Sequence, residues 1–334
     1  MASFAFPDIA KKATLSDGTT YGYIHIPPSS PSKPTFLLLH GAPSSSYIWH
    51  HQIDLLPKAG FGVIAPDLLG YGDTDRPVEV ELYQIHRLVG HLHELVTRVI
   101  GVNKVIGVGH DFGSGLLSHT YLHRKDLFTG VIFIAVGFGF LNARFDPDFI
   151  ISLSKHLVGY STAGYTKLFI SPEGASIVEK HHKLMDSIFF AQDPTIWKEH
   201  LLPEGALMKF FEAGKEVPVG DWLAPHELEM HNKILKHSGY TGPLNWYKAA
   251  ALLDPAKEDV EFPEEEKKIT VPTLFILPTK DYVLIHEAQI QSTKAVAPHA
   301  RVVNIDAGHW AMWEKKEEVE RLIEEFGKEV ERGG

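Results

Sequence analysis

The stretch from Val105 to Gly115, Val-Ile-Gly-Val-Gly-His-Asp-Phe-Gly-Ser-Gly, constrains this chain more than any other. A short β-branched run stops at His110-Asp111 and passes directly into small residues. A strand that turns this sharply into a helix strains its turn residue and brings neighbouring backbone close, so it needs glycine beside the turn. Gly109 and Gly113 flank Asp111 two residues away on either side. That is the G-x-nucleophile-x-G spacing, with aspartate where serine is usual. A carboxylate is already ionised at neutral pH and attacks carbon without a base to deprotonate it.

The flanking pattern predicts an α/β fold with a mainly parallel sheet. Lys11 to Ile26 reads as a hairpin turning at Ser16-Asp17-Gly18, and Pro27 to Pro34 as a surface connection. Thr35 to Leu39 is a continuous apolar run, as in a parallel strand buried on both faces. Gly62 to Ala65, the elbow strand, Gly130 to Val136, Thr273 to Leu277 and Arg301 to Ile305 continue the series. Between them, helices are expected after Ser44-Ser45-Ser46, over Leu82 to Ile100 (apolar at Leu88, Leu92, Leu95, Val96 and Val99), from Gly113 to His123, from Ile285 to Val296, and along Val319, Leu322, Ile323, Phe326 and Val330. The rhythm breaks between Phe138 and Asp259, where aromatics and histidines rise and strand-like runs vanish. The expected organisation is an α/β core from 1–137 and 260–334 with a helical insertion at 138–259, and a linker over Asp254 to Lys268.

Composition excludes several classes. The formal charge of −10 and the lack of any basic stripe argue against a nucleic-acid partner. With no cysteine there are no disulfides, thiolate nucleophiles or Cys-ligated metals. No stretch has the pattern of a signal peptide, and the most apolar run, Val131 to Leu141, falls short of the roughly 20 residues that span a bilayer. The expectation is a cytoplasmic protein with no membrane insertion, no cofactor and no metal.

An attacking carboxylate leaves an ester on the protein, so turnover needs a base to activate water and an acid to orient that base. In folds of this class the chain order is nucleophile, acid, histidine. Asp281 follows the strand Thr273 to Leu277, and His309 follows Arg301 to Ile305 within Asp306-Ala-Gly-His-Trp310. Both fall on the same sheet edge as Asp111. Asp306 is a competing acid, too close to the histidine in sequence to reach the far side of its ring, and Asp146 is a second, weaker alternative. His40-Gly41-Ala42-Pro43, after the first parallel strand, supplies the other half of a polarising site. There the backbone N–H groups of Ala42 and Phe112 can converge on a carboxylate oxygen that becomes an oxyanion.

Taken together, these motifs resemble the epoxide hydrolases of the α/β-hydrolase fold over nearly the whole chain. The resemblance rests on His40-Gly-Ala-Pro43, Gly109-His-Asp-Phe-Gly113, Lys280-Asp-Tyr-Val-Leu284 and Gly308-His-Trp310. In the insertion, Gly242-Pro-Leu-Asn-Trp-Tyr247 and Tyr165-Thr-Lys-Leu-Phe169, followed by Pro172 and Gly174, resemble the segments bearing two lid tyrosines. The resemblance implies Asp111 as nucleophile, Asp281 and His309 as the charge pair, Tyr165 and Tyr247 as ring-opening donors, and a cis Ala42-Pro43 bond. Tyr160 competes with Tyr165 for its place. His40, Pro43, Trp246 and Trp310 are expected around a pocket for a small-molecule epoxide and water.

Two positions depart from the family pattern: Phe112 stands where Trp is common, and Ala42 where an aromatic is common. Both act through backbone N–H, so the mechanism survives, but the shape of the pocket changes. They also bear on the nearest competitor, a haloalkane dehalogenase, whose departing halide needs side-chain N–H donors that Phe and Ala lack. An epoxide instead leaves an alkoxide. With water's pKa as a proxy for the alkoxide and about 10 for tyrosine, proton transfer from a phenol is downhill by roughly 6 units, about 8 kcal/mol. A third alternative, a catalytically dead ligand receptor, need not retain nucleophile, base and acid together.

Overall fold

Five buried residues in succession, Thr35–Leu39, mark the middle of the molecule. In the computed structural model, which describes residues 2–139, 144–253, 262–263 and 265–333, this run is β3 of an eight-stranded sheet. The strands are β1 (Ala10–Thr14), β2 (Thr20–Ile26), β3 (Thr35–Leu39), β4 (Gly62–Pro66), β5 (Val105–His110), β6 (Phe128–Ile134), β7 (Thr273–Pro278) and β8 (Arg301–Ile305). Their spatial order is β1-β2-β4-β3-β5-β6-β7-β8. β2 runs antiparallel to both of its neighbours, and β4 through β8 form a parallel series with β3. β3, β4, β5 and β7 are buried throughout, whereas the edge strands β1 and β8 are largely solvent-facing. Parallel strands covered by helices on both faces have no polar side to show, which is why they read as unbroken apolar runs.

The expected hairpin is present, closed by Gly18 at φ 90° and by Asp17, which accepts the Thr19 N–H at 2.9 Å. Two elements differ from the sequence reading. β6 begins two residues earlier than expected and stops at Ile134, where Ala135 takes φ 63°. Gly130 looked like a strand start, but it lies inside β6 because the last helix crosses there. A Cβ at Gly130 would stand 2.9 Å from the Phe326 ring, so glycine lets helix and strand approach. The helix expected over Leu82 to Ile100 is three elements: a 3₁₀ turn at Val80–Tyr83, an α-helix at Ile85–Glu94 and a π turn at Leu95–Ile100. The wider π turn shifts the register, so Val99 is 37% exposed rather than part of the buried stripe.

Between β6 and β7 the described chain is helical, from Pro147–Val158 to Thr241–Leu252, with a single isolated bridge at Ala191–Val219. The chain leaves the core near Phe138, whose N–H is held by Thr293 Oγ1 at 3.0 Å, while the Gly137 N–H is held by Gln289 Oε1. Residues 140–143, 254–261 and 264 lie outside the described residues, and with them most of the expected 254–268 linker and the ends of the 138–259 insertion. The last helix, Lys316–Gly333, buries Val319, Leu322, Ile323, Phe326 and Val330 as its spacing predicts. No helix among the described residues is long and apolar enough to cross a membrane.

Candidate active site

Asp111 sits between β5 and the helix Phe112–His123 at φ 53°, ψ −122°, a conformation that costs a non-glycine residue about 1–3 kcal/mol. Glycine makes it reachable. A Cβ on Gly113 would strike the Leu39 carbonyl, one on Gly109 would lie 2.6 Å from the Gly113 carbonyl oxygen, and one on Gly41 would overlap the Asp111 carboxylate. The close approach of Gly41 brings the next amide to the carboxylate: Ala42 N–H donates to Asp111 Oδ1 at 2.9 Å. The Phe112 N–H also bonds this carboxylate. The turn is completed by a cis Ala42–Pro43 bond.

The carboxylate's two oxygens are therefore already distinguished. Oδ1 lies in the amide cradle of Ala42, and Oδ2 faces His309 Nε2 at 3.9 Å. On its other side His309 places Nδ1 2.7 Å from Oδ2 of Asp281, a side chain with no solvent exposure whose Oδ1 takes the Val283 N–H at 3.2 Å. Burial lowers the proton affinity of His309, but the Asp281 charge and hydrogen bond, with Asp111 behind them, outweigh it and hold the imidazole up at about 9. Burial raises the Asp111 carboxyl above the usual carboxylate range, against the pull of His309 and the two amides.

The competing acids lie elsewhere. Asp306 is exposed and pairs with Lys280 at 2.9 Å, and Asp146 caps the helix Pro147–Val158 by accepting the Asp148 and Phe149 N–H groups.

Opposite the carboxylate the helical insertion contributes Tyr165 and Tyr247, with ring centroids 6.1 Å apart and side chains hydrogen-bonded to each other. Burial, with the Asp111 charge adding to it, raises both phenols above 10, so both keep their protons. Phe169 wedges against the two rings, at 5.2 Å from Tyr165 and 5.1 Å from Tyr247, and Phe112 meets Tyr247 edge-on at 4.8 Å. Tyr160 is not part of this group: it packs on Tyr282, with the Lys198 ammonium 4.8 Å from its ring.

A cavity of about 20 Å³ lies between the two sides. Ala42, Asp111, Val283, His309 and Trp310 line it from the core, and Tyr165, Phe189, Trp197, Leu201 and Tyr247 from the insertion. Three of the four expected pocket residues are placed differently. His40 is fully buried behind the turn, with Nδ1 on the Gly41 carbonyl and Nε2 accepting the Leu68 N–H at 2.9 Å. Trp246 packs on Phe112 from behind and gives its N–H to the Leu69 carbonyl at 2.8 Å. Pro43 lines an adjoining apolar space next to Phe169 and Leu244. Trp310 does line the cavity, with its N–H on the Phe189 carbonyl.

Three bracing residues escaped the sequence reading. His110, kept neutral by burial, places Nε2 2.9 Å from the His309 carbonyl and ties the His309 loop to the elbow. Glu314 accepts the Gly308 and Trp310 N–H groups on the two sides of His309. Asp67 accepts the Ser46 N–H and hydroxyl beneath the Ala42 turn. Only Asp67 carried a signal, its position at the end of β4 on the nucleophile's edge of the sheet.

Residues 36–322 match the alpha/beta hydrolase family. Epoxide hydrolase A of Mycobacterium tuberculosis is 29% identical over 310 residues, covering 89% of this chain and 91% of that protein. The bifunctional epoxide hydrolase 2 of Sus scrofa is 26% identical across 92% of this chain, which spans only 55% of that longer protein. Among solved structures, an epoxide hydrolase from an endophytic Streptomyces superposes with a TM-score of 0.79 at 25% identity, covering 95% of this chain and 94% of its own. An aspartate elbow, a His–Asp pair at the next strand ends and a match over most of its length place this chain in the alpha/beta hydrolase family.

Proposed function

We propose that this protein hydrolyses epoxides to vicinal diols through an alkyl ester on Asp111, with the 138–259 insertion acting as a cap. The observation that carries this reading is the pair of hydrogen-bonded phenols, Tyr165 and Tyr247, facing the Asp111 carboxylate across one cavity. Asp111 Oδ2, the oxygen outside the amide cradle, attacks a ring carbon. The carbon–oxygen bond breaks, and the ring oxygen takes a phenolic proton while both hydroxyls hold it. Because burial lifts the phenols above 10, that transfer is downhill by less than the roughly 8 kcal/mol of a free tyrosine.

Ester formation removes the Asp111 charge, which helps to hold the His309 imidazole up. The imidazolium then gives up its proton more readily, to the phenolate that ring opening leaves, and so becomes the base the second step needs. Water, deprotonated by His309 with Asp281 stabilising the imidazolium, adds to the ester carbonyl. Oδ1 becomes the oxyanion against the Ala42 and Phe112 N–H groups, and collapse breaks the ester bond to the diol oxygen, which takes the proton of the new carboxyl, so that the diol leaves and the carboxylate is restored.

A dehalogenase reading lacks a halide cradle. Phe112 and Ala42 have no side-chain donor, and the two indoles lining the cavity are engaged, Trp310 with the Phe189 carbonyl and Trp197 with the Ile188 carbonyl at 2.6 Å. A cavity of about 20 Å³ holds roughly one water, so substrate entry requires the aromatic side chains of the insertion to move.

A single turnover of excess enzyme on an aryl epoxide in H₂¹⁸O tests the mechanism. The expected diol is unlabelled, because its new oxygen comes from Asp111 and the water oxygen stays in the carboxylate. A labelled diol would mean direct attack by water, and no diol would remove the activity.

A further inference from the structure

His50, His51 and Glu227 meet where the core helix His50–Leu55 faces the insertion helix Pro225–Ser238, and none of them lines the Asp111 cavity. Successive residues on a helix point about 100° apart and do not normally face one partner. Here the two imidazoles are 3.8 Å apart between centroids, and both aim Nε2 at Glu227 Oε1, at 2.8 and 3.1 Å. The ligand atoms of the three residues all lie within 4.8 Å of one another.

The surroundings orient two of the three. Glu227 Oε2 accepts the Ala224 N–H at 2.8 Å, which turns Oε1 toward the histidines. His50 Nδ1 is 3.0 Å from the Tyr47 carbonyl and must carry a hydrogen to bond it. Nε2 of the same ring stands 2.8 Å from Glu227 Oε1. A ring fixed by a carbonyl at Nδ1 with Nε2 turned to the other ligands is the usual arrangement of a metal-binding histidine.

We propose that His50, His51 and Glu227 bind a transition-metal dication of the Zn²⁺ type and so fasten the helical insertion to the core. Two imidazoles and a carboxylate suit Zn²⁺, whereas Mg²⁺ and Ca²⁺ call for oxygen donors. Ligands at about 2.0–2.2 Å from tetrahedral zinc stand roughly 3.4 Å apart, so the 2.8 and 3.1 Å spacings to Glu227 would open and the remaining spacing, within 4.8 Å, would adjust by side-chain rotation. Glu227 is nearly closed off at 8% side-chain exposure, while His51 at 21% leaves a path for the ion. Three protein ligands leave a fourth position for water. The helix Pro225–Ser238 runs almost directly into Thr241–Leu252, which carries Tyr247, so the metal steadies the element that faces the nucleophile.

Chelator-treated full-length protein titrated with Co²⁺ gives the test. One equivalent should produce the visible bands of a four-coordinate site, be displaced by Zn²⁺, and raise the midpoint of thermal unfolding. His51→Ala and Glu227→Gln should each weaken Co²⁺ binding about tenfold or more; Glu227→Gln keeps an acceptor for the Ala224 N–H, so the helix start is preserved. Circular dichroism confirms that each variant is folded, with His51→Gln, at a partly exposed position, as a further check. Absence of the bands, or an affinity in both variants unchanged from that of the unsubstituted protein, would overturn the proposal and leave the cluster an ion pair between helices.

Discussion

The two walls of the cavity are built in different ways. On the core side Asp111 and His309 are each oriented by directional bonds at a strand end: Asp111 Oδ1 by the Ala42 amide, His309 Nδ1 by Asp281, and the His309 carbonyl by His110. On the insertion side Tyr165 and Tyr247 are held by ring packing, against Phe169 and Phe112 and by their one mutual hydrogen bond. Hydrogen bonds to backbone set atomic positions closely, whereas edge-to-face rings tolerate repacking at small cost. Under the proposed function the core wall carries the chemistry common to any electrophilic carbon, and the insertion wall what distinguishes one leaving group, and one substrate shape, from another.

Substitutions on the two walls should separate accordingly. The largest effect is expected from Asp111→Asn, whose carboxamide is no nucleophile: turnover should fall by about 10⁴-fold or more. Next comes the double variant Tyr165→Phe with Tyr247→Phe. It should slow ester formation by about 10²- to 10⁴-fold, with either single change costing less because the other phenol remains. Hydrolysis of an ester already formed should keep its rate in both, and a comparable loss in that second step would erase the division between the walls.

Leu201→Ala, on the insertion wall, should alter the ratio of kcat/KM between small and large epoxides by about 10- to 200-fold. Phe169→Ala removes a ring with 1% exposure beneath both phenols and should cost about 3–5 kcal/mol in urea unfolding.

The pH response sharpens the comparison further. Ester formation needs ionised Asp111, which burial raises, so kcat/KM should fall as pH drops through a value above that of an ordinary aspartate. His309 stands at about 9 partly because Asp111 is charged. In Asp111→Asn its NMR titration should move below that value, since the Asp281 contribution remains and the Asp111 contribution is gone. An unmoved midpoint would mean that ester formation does not switch the base on.

Much of this was readable in the sequence, for physical reasons that differ along the chain. The parallel strands announce themselves because burial on two faces leaves only apolar residues, and with the strands placed, the residues at their ends share an edge. Asp111, Asp281 and His309 could be put on one side of the sheet in that way, and they do converge. Reach was not readable. His40 and Trp246 sit within the right motifs, yet their polar atoms turn to the Leu68 amide and the Leu69 carbonyl, contacts that exist only after the loop following β4 has folded beneath them. Glu314 and His110 act on backbone groups of the His309 loop, and nothing in a residue's type reveals which distant amide or carbonyl it will meet. The π turn at Leu95–Ile100 is likewise invisible to an apolar count, because the residues are helix formers either way.

The central claim, that an epoxide becomes an ester on this aspartate, is tested most directly by intact-mass analysis of His309→Gln, in which the base that resolves the ester is gone. After incubation with an aryl epoxide, the protein should carry an adduct equal to the whole epoxide, mapping to the peptide that holds Asp111. An adduct formed only with a haloalkane and lacking its halogen, or no adduct with either compound, would contradict the account.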